Sequence, residues 1–271
     1  MNSFDDFIDS DDALFHYTTL GIGLEKILKK KRIRLSALNR TDDPQEYNDW
    51  SMSLVGWPLP DDNMMMPKYS EAYTRFNTII KKKSFLLCFC QNSSIICANE
   101  IIDDKDGMKL SGYQRSRMWS QYGDHHKGIC LVFSKKLLEK KVKAVFGDRV
   151  KIGEVDYPCE DSINYKALVF DGNVLKDKSV EETVDLHIET NYKNIFYTKN
   201  IDYRDESEYR IVIIDKAEEN EYKEIDVDEC LVGIVLGNKL PEVYYPSIRE
   251  ACKSEIRRLY WRNGRFIPIG I

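Results

Sequence analysis

The chain has 271 residues, 42% of them hydrophobic and 31% charged, with a net charge of -5. That balance excludes a disordered chain and argues against a nonspecific polyanion binder. No run reaches the roughly 18 uncharged apolar residues that a membrane helix needs.

The length suits one elaborated domain over residues 13–271 behind an acidic leader over residues 1–12. The start MNSFDDFIDSDD is acidic where a signal peptide would be basic, so a cytoplasmic protein without a membrane partner is expected. Cysteines stand at 88, 90, 97, 130, 159, 230 and 252, mostly in apolar runs and without a CxxC pair. Buried reduced thiols are the expectation, with no metal.

ALFHYT, residues 13–18, reads as a short buried strand. LGIGLEKILKKK places Leu20, Leu24, Ile27 and Leu28 at helical spacing, and IRLSAL alternates like a second strand. Asp42, Asp43 and Pro44 mark a turn that can start a helix. Residues 53–68 hold three prolines and predict an irregular excursion, followed by a helix over 69–83. SFLLCFCQ predicts a strand buried on both faces, residues 92–112 a loop, SRMWSQYG a helix and GICLVFS another buried strand.

Further on, VKIGEVDY predicts a strand, residues 158–176 a polar variable stretch, and residues 178–197 a long helix. YRIVIID, YKEIDV and LVGIVLG are three more strands, LPEVYYPSIREACKSEIRR a helix, and LYWRNGRFIPIG a hairpin turning at Asn-Gly. Strands separated by unequal helices, with hairpin-like pairs late, favour an α+β fold. Positive charge gathers in ILKKKRIR, IIKKKS and FSKKLLEKKVKAV, which suits either a phosphate backbone or solvated helix ends.

No dinucleotide-binding glycine pattern, phosphate-binding P-loop, HExxH or GxSxG occurs. What remains is a set of polar residues at strand and helix ends. His16 and Tyr17 adjoin in the first strand, where successive side chains take opposite faces. In RTDDPQEY, Asp43 and Glu46 read as a helix cap with an acidic first turn, or as site carboxylates. In RMWSQYGDHHKGICLVF, Trp119 and Tyr122 share a helix face, and His126 lies in the turn into a buried strand; the group is either core or a pocket wall. Glu206, Glu208 and Arg210 alternate at the mouth of an apolar strand, where a carboxylate must be paired or used.

Taken in order, LFHYTTL, IRLS, DDPQE, MWSQYGDHHKGICLVF and ESEYRIVI resemble the landmarks of a bacterial family known as domain of unknown function 2971. The resemblance spans about residues 13–240 and is most specific over the MW-to-HKG segment. Asp42 stands where that family usually has Asn, and Tyr209 where it usually has Trp.

A second, more distant resemblance is to ADP-ribosyltransferases of the His, Tyr, Glu type, including toxins that modify nucleic acids. It implies an α+β fold of split mixed or antiparallel sheets with flanking helices. By this resemblance Glu208, His16 and Tyr122 are catalytic, while His16, Tyr17, Thr18, Trp119, Tyr122, His126 and Arg210 bind NAD as co-substrate. Asp43, Glu46 and Glu206 then serve as substrate-binding residues.

The function so implied is an NAD-dependent ADP-ribosyltransferase of bacterial toxin or phage-defence type. Its acceptor is a macromolecule, RNA or DNA rather than protein, and an antitoxin protein is a possible partner by the same analogy. An NAD glycohydrolase and a noncatalytic nucleotide-binding sensor are the rival expectations.

Overall fold

The apolar runs become the inner strands of one ten-stranded mixed sheet in a computed structural model, which describes residues 3–56, 65–94, 109–158, 165–216 and 222–271. In chain order the elements open with α1 (Phe4–Ile8), β1 (Ala13–Thr18), α2 (Leu20–Ile22), which runs on into a π-helical turn over Gly23–Leu28, and β2 (Arg32–Ala37). There follow α3 (Pro44–Tyr47), β3 (Ser53–Val55), α4 (Met65–Lys82), β4 (Ser84–Gln91), β5 (Ser93–Ser94) and β6 (Lys109–Leu110). The middle holds α5 (Ser116–Gln121), β7 (Ile129–Ser134), α6 (Lys135–Phe146), β8 (Val150–Glu154), β9 (Val169–Asp171), α7 (Gly172–Asp177) and α8 (Val180–Phe196). The chain closes with β10 (Glu208–Ile214), β11 (Tyr222–Asp226), β12 (Leu231–Leu236), α9 (Tyr245–Ala251), β13 (Glu255–Arg262) and β14 (Arg265–Gly270).

The main path of the sheet runs β11, β2, β4, β1, β7, β12, β13, β14, with β10 and β8 branching from β4. Every pair is antiparallel except β12 with β13. Small separate ladders join β3 to β9 and β5 to β6. The fold is therefore α+β with a mixed sheet.

Three apolar layers follow from strand alternation. Leu14, Leu87, Phe89, Leu131, Phe133 and Ile211 face the π-helical turn, α6 and α9 through Leu28, Leu138 and Ile248. Leu86 and Val212, on the opposite face, meet α4 and α8 through Phe76, Ile80, Val184 and Phe196. Phe15, Tyr17, Cys130 and Val132 meet α1 and α5 through Phe4, Ile8, Met118 and Trp119.

Several elements differ from the sequence expectation, each for a local reason. The acidic leader folds: Ser3 accepts from the Asp6 amide and the Asp6 side chain bonds back, a capping box that starts α1 and lets Phe4 and Ile8 bury. The helix expected over 20–31 is one α-turn continued as a π-turn. In the expected excursion, residues 53–55 form β3 and α4 begins at Met65 with Pro67 in its first turn, where proline is tolerated; residues 57–64 lie outside the described residues.

The expected loop over 92–112 contains β5 and β6, and the polar stretch over 158–176 contains β9 and α7; residues 95–108 and 159–164 lie outside the described residues. The helix expected over 240–258 stops at Ala251. Residues from Glu255 onward instead pair with β12, so a sheet edge wins over local helical preference.

One feature of the ladder positions the site. Along one edge β4 pairs with β10 from Ser84 to Cys90. Its other edge is shared: β2 takes Phe85 and Leu86, β1 takes Cys90 and Gln91, and neither takes Leu87, Cys88 or Phe89. The ten strands thus form one continuous sheet, with β1 and β2 parted on one side of β4. Among the described residues no helix is long and apolar enough to cross a membrane.

Candidate functional site

A cavity of about 350 Å³ opens where β1 and β2 part on β4. Its walls include His16 and Tyr17 from β1, Cys88 from β4, Tyr122 beyond α5, Asp43 and Glu46 from the α3 turn, and Glu206, Glu208 and Arg210 around the start of β10.

The imidazole of His16 occupies the gap in the ladder. Its Nδ1 lies 3.1 Å from the carbonyl oxygen of Cys88, a residue that neither β1 nor β2 pairs. That bond requires the proton on Nδ1 and leaves Nε2 as an acceptor. Burial lowers the His16 pKa from its ordinary value, against the opposing pull of the Cys88 bond, so the ring is neutral near pH 7. Tyr17 points to the other face, donates its hydroxyl to Gly112 O and meets Trp119 edge-on at 4.9 Å.

Across the cavity the carboxylates are held by two buried cations. Ser207 takes a left-handed conformation with φ of 42°, turning the chain sharply between the 3-10 turn that ends at Glu206 and the strand that begins at Glu208. Arg210 donates from Nε to Glu208 Oε1 at 2.5 Å, from Nη2 to Glu208 Oε2 at 3.1 Å and to Glu46 Oε1, and from Nη1 to Phe196 O at 2.7 Å. Lys199 donates to Glu206 Oε2 at 2.8 Å and to Glu208 Oε2 at 3.3 Å, stands 3.8 Å from Asp43 Oδ2, and lies over the Tyr203 ring. The Tyr122 hydroxyl donates to Glu206 Oε1 at 2.7 Å.

These contacts set the ionisation. Burial favours the neutral form of Glu208, but the positive charges of Arg210 and Lys199 outweigh it and hold the carboxyl down at about 2. Burial and the negative charge of Glu46 raise Asp43 instead. Burial, then the charge of Glu206, pushes the Tyr122 phenol up, so it stays a hydrogen-bond donor. Asp43 caps α3 by accepting the Gln45 amide at Oδ1, 2.9 Å away, while its buried Oδ2 has no hydrogen-bond partner.

Of the residues singled out from the sequence, His16, Tyr17, Asp43, Glu46, Tyr122, Glu206, Glu208 and Arg210 line this one cavity. Thr18, Trp119 and His126 are not in its lining. Thr18 is buried at the end of β1 opposite Ile129. Trp119 is fully buried, with its indole nitrogen committed to Tyr113 O at 2.7 Å, so it cannot stack on a ligand base. His126 lies behind it, stacked at 6.5 Å.

Lys199, Tyr203, Cys88 and Met118 line the cavity without having been expected there. Nothing in the spacing of YTKNID marks Lys199. Its only signal is that, among the residues singled out, the acids Asp43, Glu46, Glu206 and Glu208 outnumber Arg210, since buried carboxylates need a counter-charge.

No curated protein and no solved structure matches the chain, so these comparisons add nothing to the resemblance to ADP-ribosyltransferases. Residues 118–211, from Met118 of the MW segment to one residue past Arg210 in β10, match the family model described as protein of unknown function (DUF2971), which supports the resemblance to that family.

Proposed function

We propose that the cavity binds NAD and that the protein transfers ADP-ribose to a macromolecular acceptor, a nucleic acid rather than a protein. The observation that carries this reading is that His16, from the front of the chain, and Glu208, from its rear half, line the same cavity at the parted strands. Its volume of about 350 Å³ lies in the range of small-ligand sites and suits the nicotinamide and ribose end of the dinucleotide. The free acceptors fit that end as well: Nε2 of His16 for a ribose hydroxyl, and Asp43 Oδ2 for a hydroxyl or the carboxamide nitrogen.

In the reaction the bond between the ribose anomeric carbon and the nicotinamide nitrogen breaks, and its electron pair leaves with the ring, which becomes neutral. Positive charge then grows on the sugar. An ionised carboxylate beside it supplies electrostatic stabilisation, and Glu208 is held ionised by its neighbours. The ribose 2'-hydroxyl competes with Lys199 for Glu208 Oε2, the longer of that lysine's two glutamate bonds at 3.3 Å. The acceptor nucleophile forms the new bond to the anomeric carbon and gives its proton to water.

One observation favours a different reading, a nucleotide-binding module without catalysis: both Glu208 oxygens already have cationic partners. Incubation with NAD labelled in its adenylate half, together with RNA, DNA and protein acceptors, separates the two. Label on nucleic acid is expected. Release of free ADP-ribose alone identifies a glycohydrolase, and NAD that binds but stays intact identifies the binding module; either outcome overturns the transferase.

A further inference from the structure

The sheet face that carries the candidate site runs on beyond the carboxylates. Cys90 stands opposite Glu208, Cys88 opposite Arg210, and Ser36 of β2 opposite Leu86, so these side chains share one face. Arg34, two residues before Ser36, takes the same face, because Ile33, Leu35 and Ala37 fill the layer on the other side. It lies where β2 has parted from β4. With Ser36, Arg40 and Thr41 it forms the lip of the cavity on the β2 side. At least two strand spacings, about 10 Å, separate this lip from the start of β10.

The cations deeper in the cavity are committed to its carboxylates: Lys199 and Arg210 hold Asp43, Glu46, Glu206 and Glu208. Arg34 differs. It is exposed and has no ion pair among the described residues. Glu224, opposite it across the β2–β11 ladder, turns to Arg32 at 3.7 Å instead. What Arg34 touches is the Tyr222 ring, whose centroid lies 5.4 Å from the guanidinium carbon. Tyr222 stands opposite Ser36 and so belongs to the same face. An aromatic ring holds a guanidinium without using its hydrogen-bond donors, and the planar fork that stays free matches two phosphate oxygens.

We infer that Arg34 binds a pyrophosphate at the mouth of the cavity, so that the protein recognises a nucleoside diphosphate by its phosphates. For NAD this puts nicotinamide and its ribose inside, the phosphates on Arg34 and the adenosine outside, towards the β11 edge of the sheet. The placement of NAD rests on the reading given above; the pyrophosphate site does not, since it takes any nucleoside diphosphate. Tyr222 is a positioning residue for the guanidinium.

The test is isothermal titration calorimetry of the full chain with ADP-ribose, NAD and adenosine. ADP-ribose and NAD are expected to bind, and adenosine is not. Arg34→Gln should weaken both roughly tenfold or more, the scale of hydrogen bonds to a charged group. Arg34→Lys keeps the charge without the fork and should lie between. Tyr222→Leu should cost about two- to fivefold. Because Arg34 is exposed, the urea midpoint of Arg34→Gln should stay with that of the parent.

ADP-ribose bound equally by parent and Arg34→Gln, a parent that binds neither ligand, adenosine bound as tightly as ADP-ribose, or a urea midpoint that falls along with the affinity would each overturn the pyrophosphate site. Arg34-dependent binding of ADP-ribose by a protein that never consumes NAD would uphold the site and sink only the transferase. Transfer from NAD with unchanged kcat/KM in Arg34→Gln would sink the site alone.

Discussion

Arg210→Met is expected to lower the unfolding free energy by about 3–5 kcal/mol, the cost of breaking a buried ion pair by removing one partner. Arg210 is 1% exposed and binds Glu46, Glu208 and the Phe196 carbonyl together. Without it, Glu46 and Glu208 face Asp43 and Glu206 with Lys199 as the cation lying between them. Urea denaturation measures the loss, and a change below about 1 kcal/mol, the scale of a surface pair, would show that the arginine is not structural. Adding Glu208→Gln to this variant should restore part of the stability, because it removes a stranded charge.

The sign of the pH dependence follows from the same network. The folded Glu208 carboxyl titrates at about 2, below its ordinary 4.5. The unfolded chain therefore binds a proton first as pH falls, and the stabilisation from this group, full above about pH 4.5, is lost progressively towards pH 2. In Arg210→Met that acid-side loss should begin at higher pH.

Glu208→Gln is expected to cut the rate of nicotinamide release by about 10²–10³-fold, the effect of removing one preorganised electrostatic group from a transition state that develops charge. Glutamine keeps the size of the side chain, and its single amide oxygen at the Oε2 position can still accept from Arg210 Nη2 and Lys199 while the bond from Arg210 Nε is lost; Arg210 keeps Glu46 and the Phe196 carbonyl, so the fold should survive at reduced stability and NAD should still bind. What is lost is the negative charge beside the sugar. A rate within about threefold of the parent would remove Glu208 from the mechanism and leave its ion pairs as a purely structural device.

The strands were most legible where burial is symmetrical. ALFHYT, SFLLCFCQ and GICLVFS are continuous apolar runs, and they became β1, β4 and β7 in the middle of the sheet. Edge and cap elements were harder to see. β13 begins in a stretch with helical composition, where Glu255–Arg258 take β12 as a parallel partner, and runs on into the hairpin with β14. Helix α1 was obscured by its acidity, although Ser3 and Asp6 stand at capping-box spacing.

The site divides in the same way. Alternation at Glu206, Glu208 and Arg210 marked a charged strand mouth, and those side chains do converge. The counter-ion Lys199 sits in the irregular link between α8 and the 3-10 turn over Ile201–Glu206, with no periodic neighbours, so the geometry is what identifies it. The bond that places His16 depends on the ladder parting at Cys88, a matter of register between distant segments. Trp119 and His126, grouped with the pocket by their neighbours in sequence, turn instead into the layer behind it.

The most direct test of the account is a titration of NAD into protein with ¹⁵N-labelled histidine rings, followed by NMR. The chain has four histidines, and only His16 lines the cavity; His187 is bonded to the Ala167 carbonyl in the α4 and α8 layer. The account predicts a saturable shift of the His16 Nε2 resonance with His187 unmoved. An NAD titration that leaves His16 unchanged would contradict it.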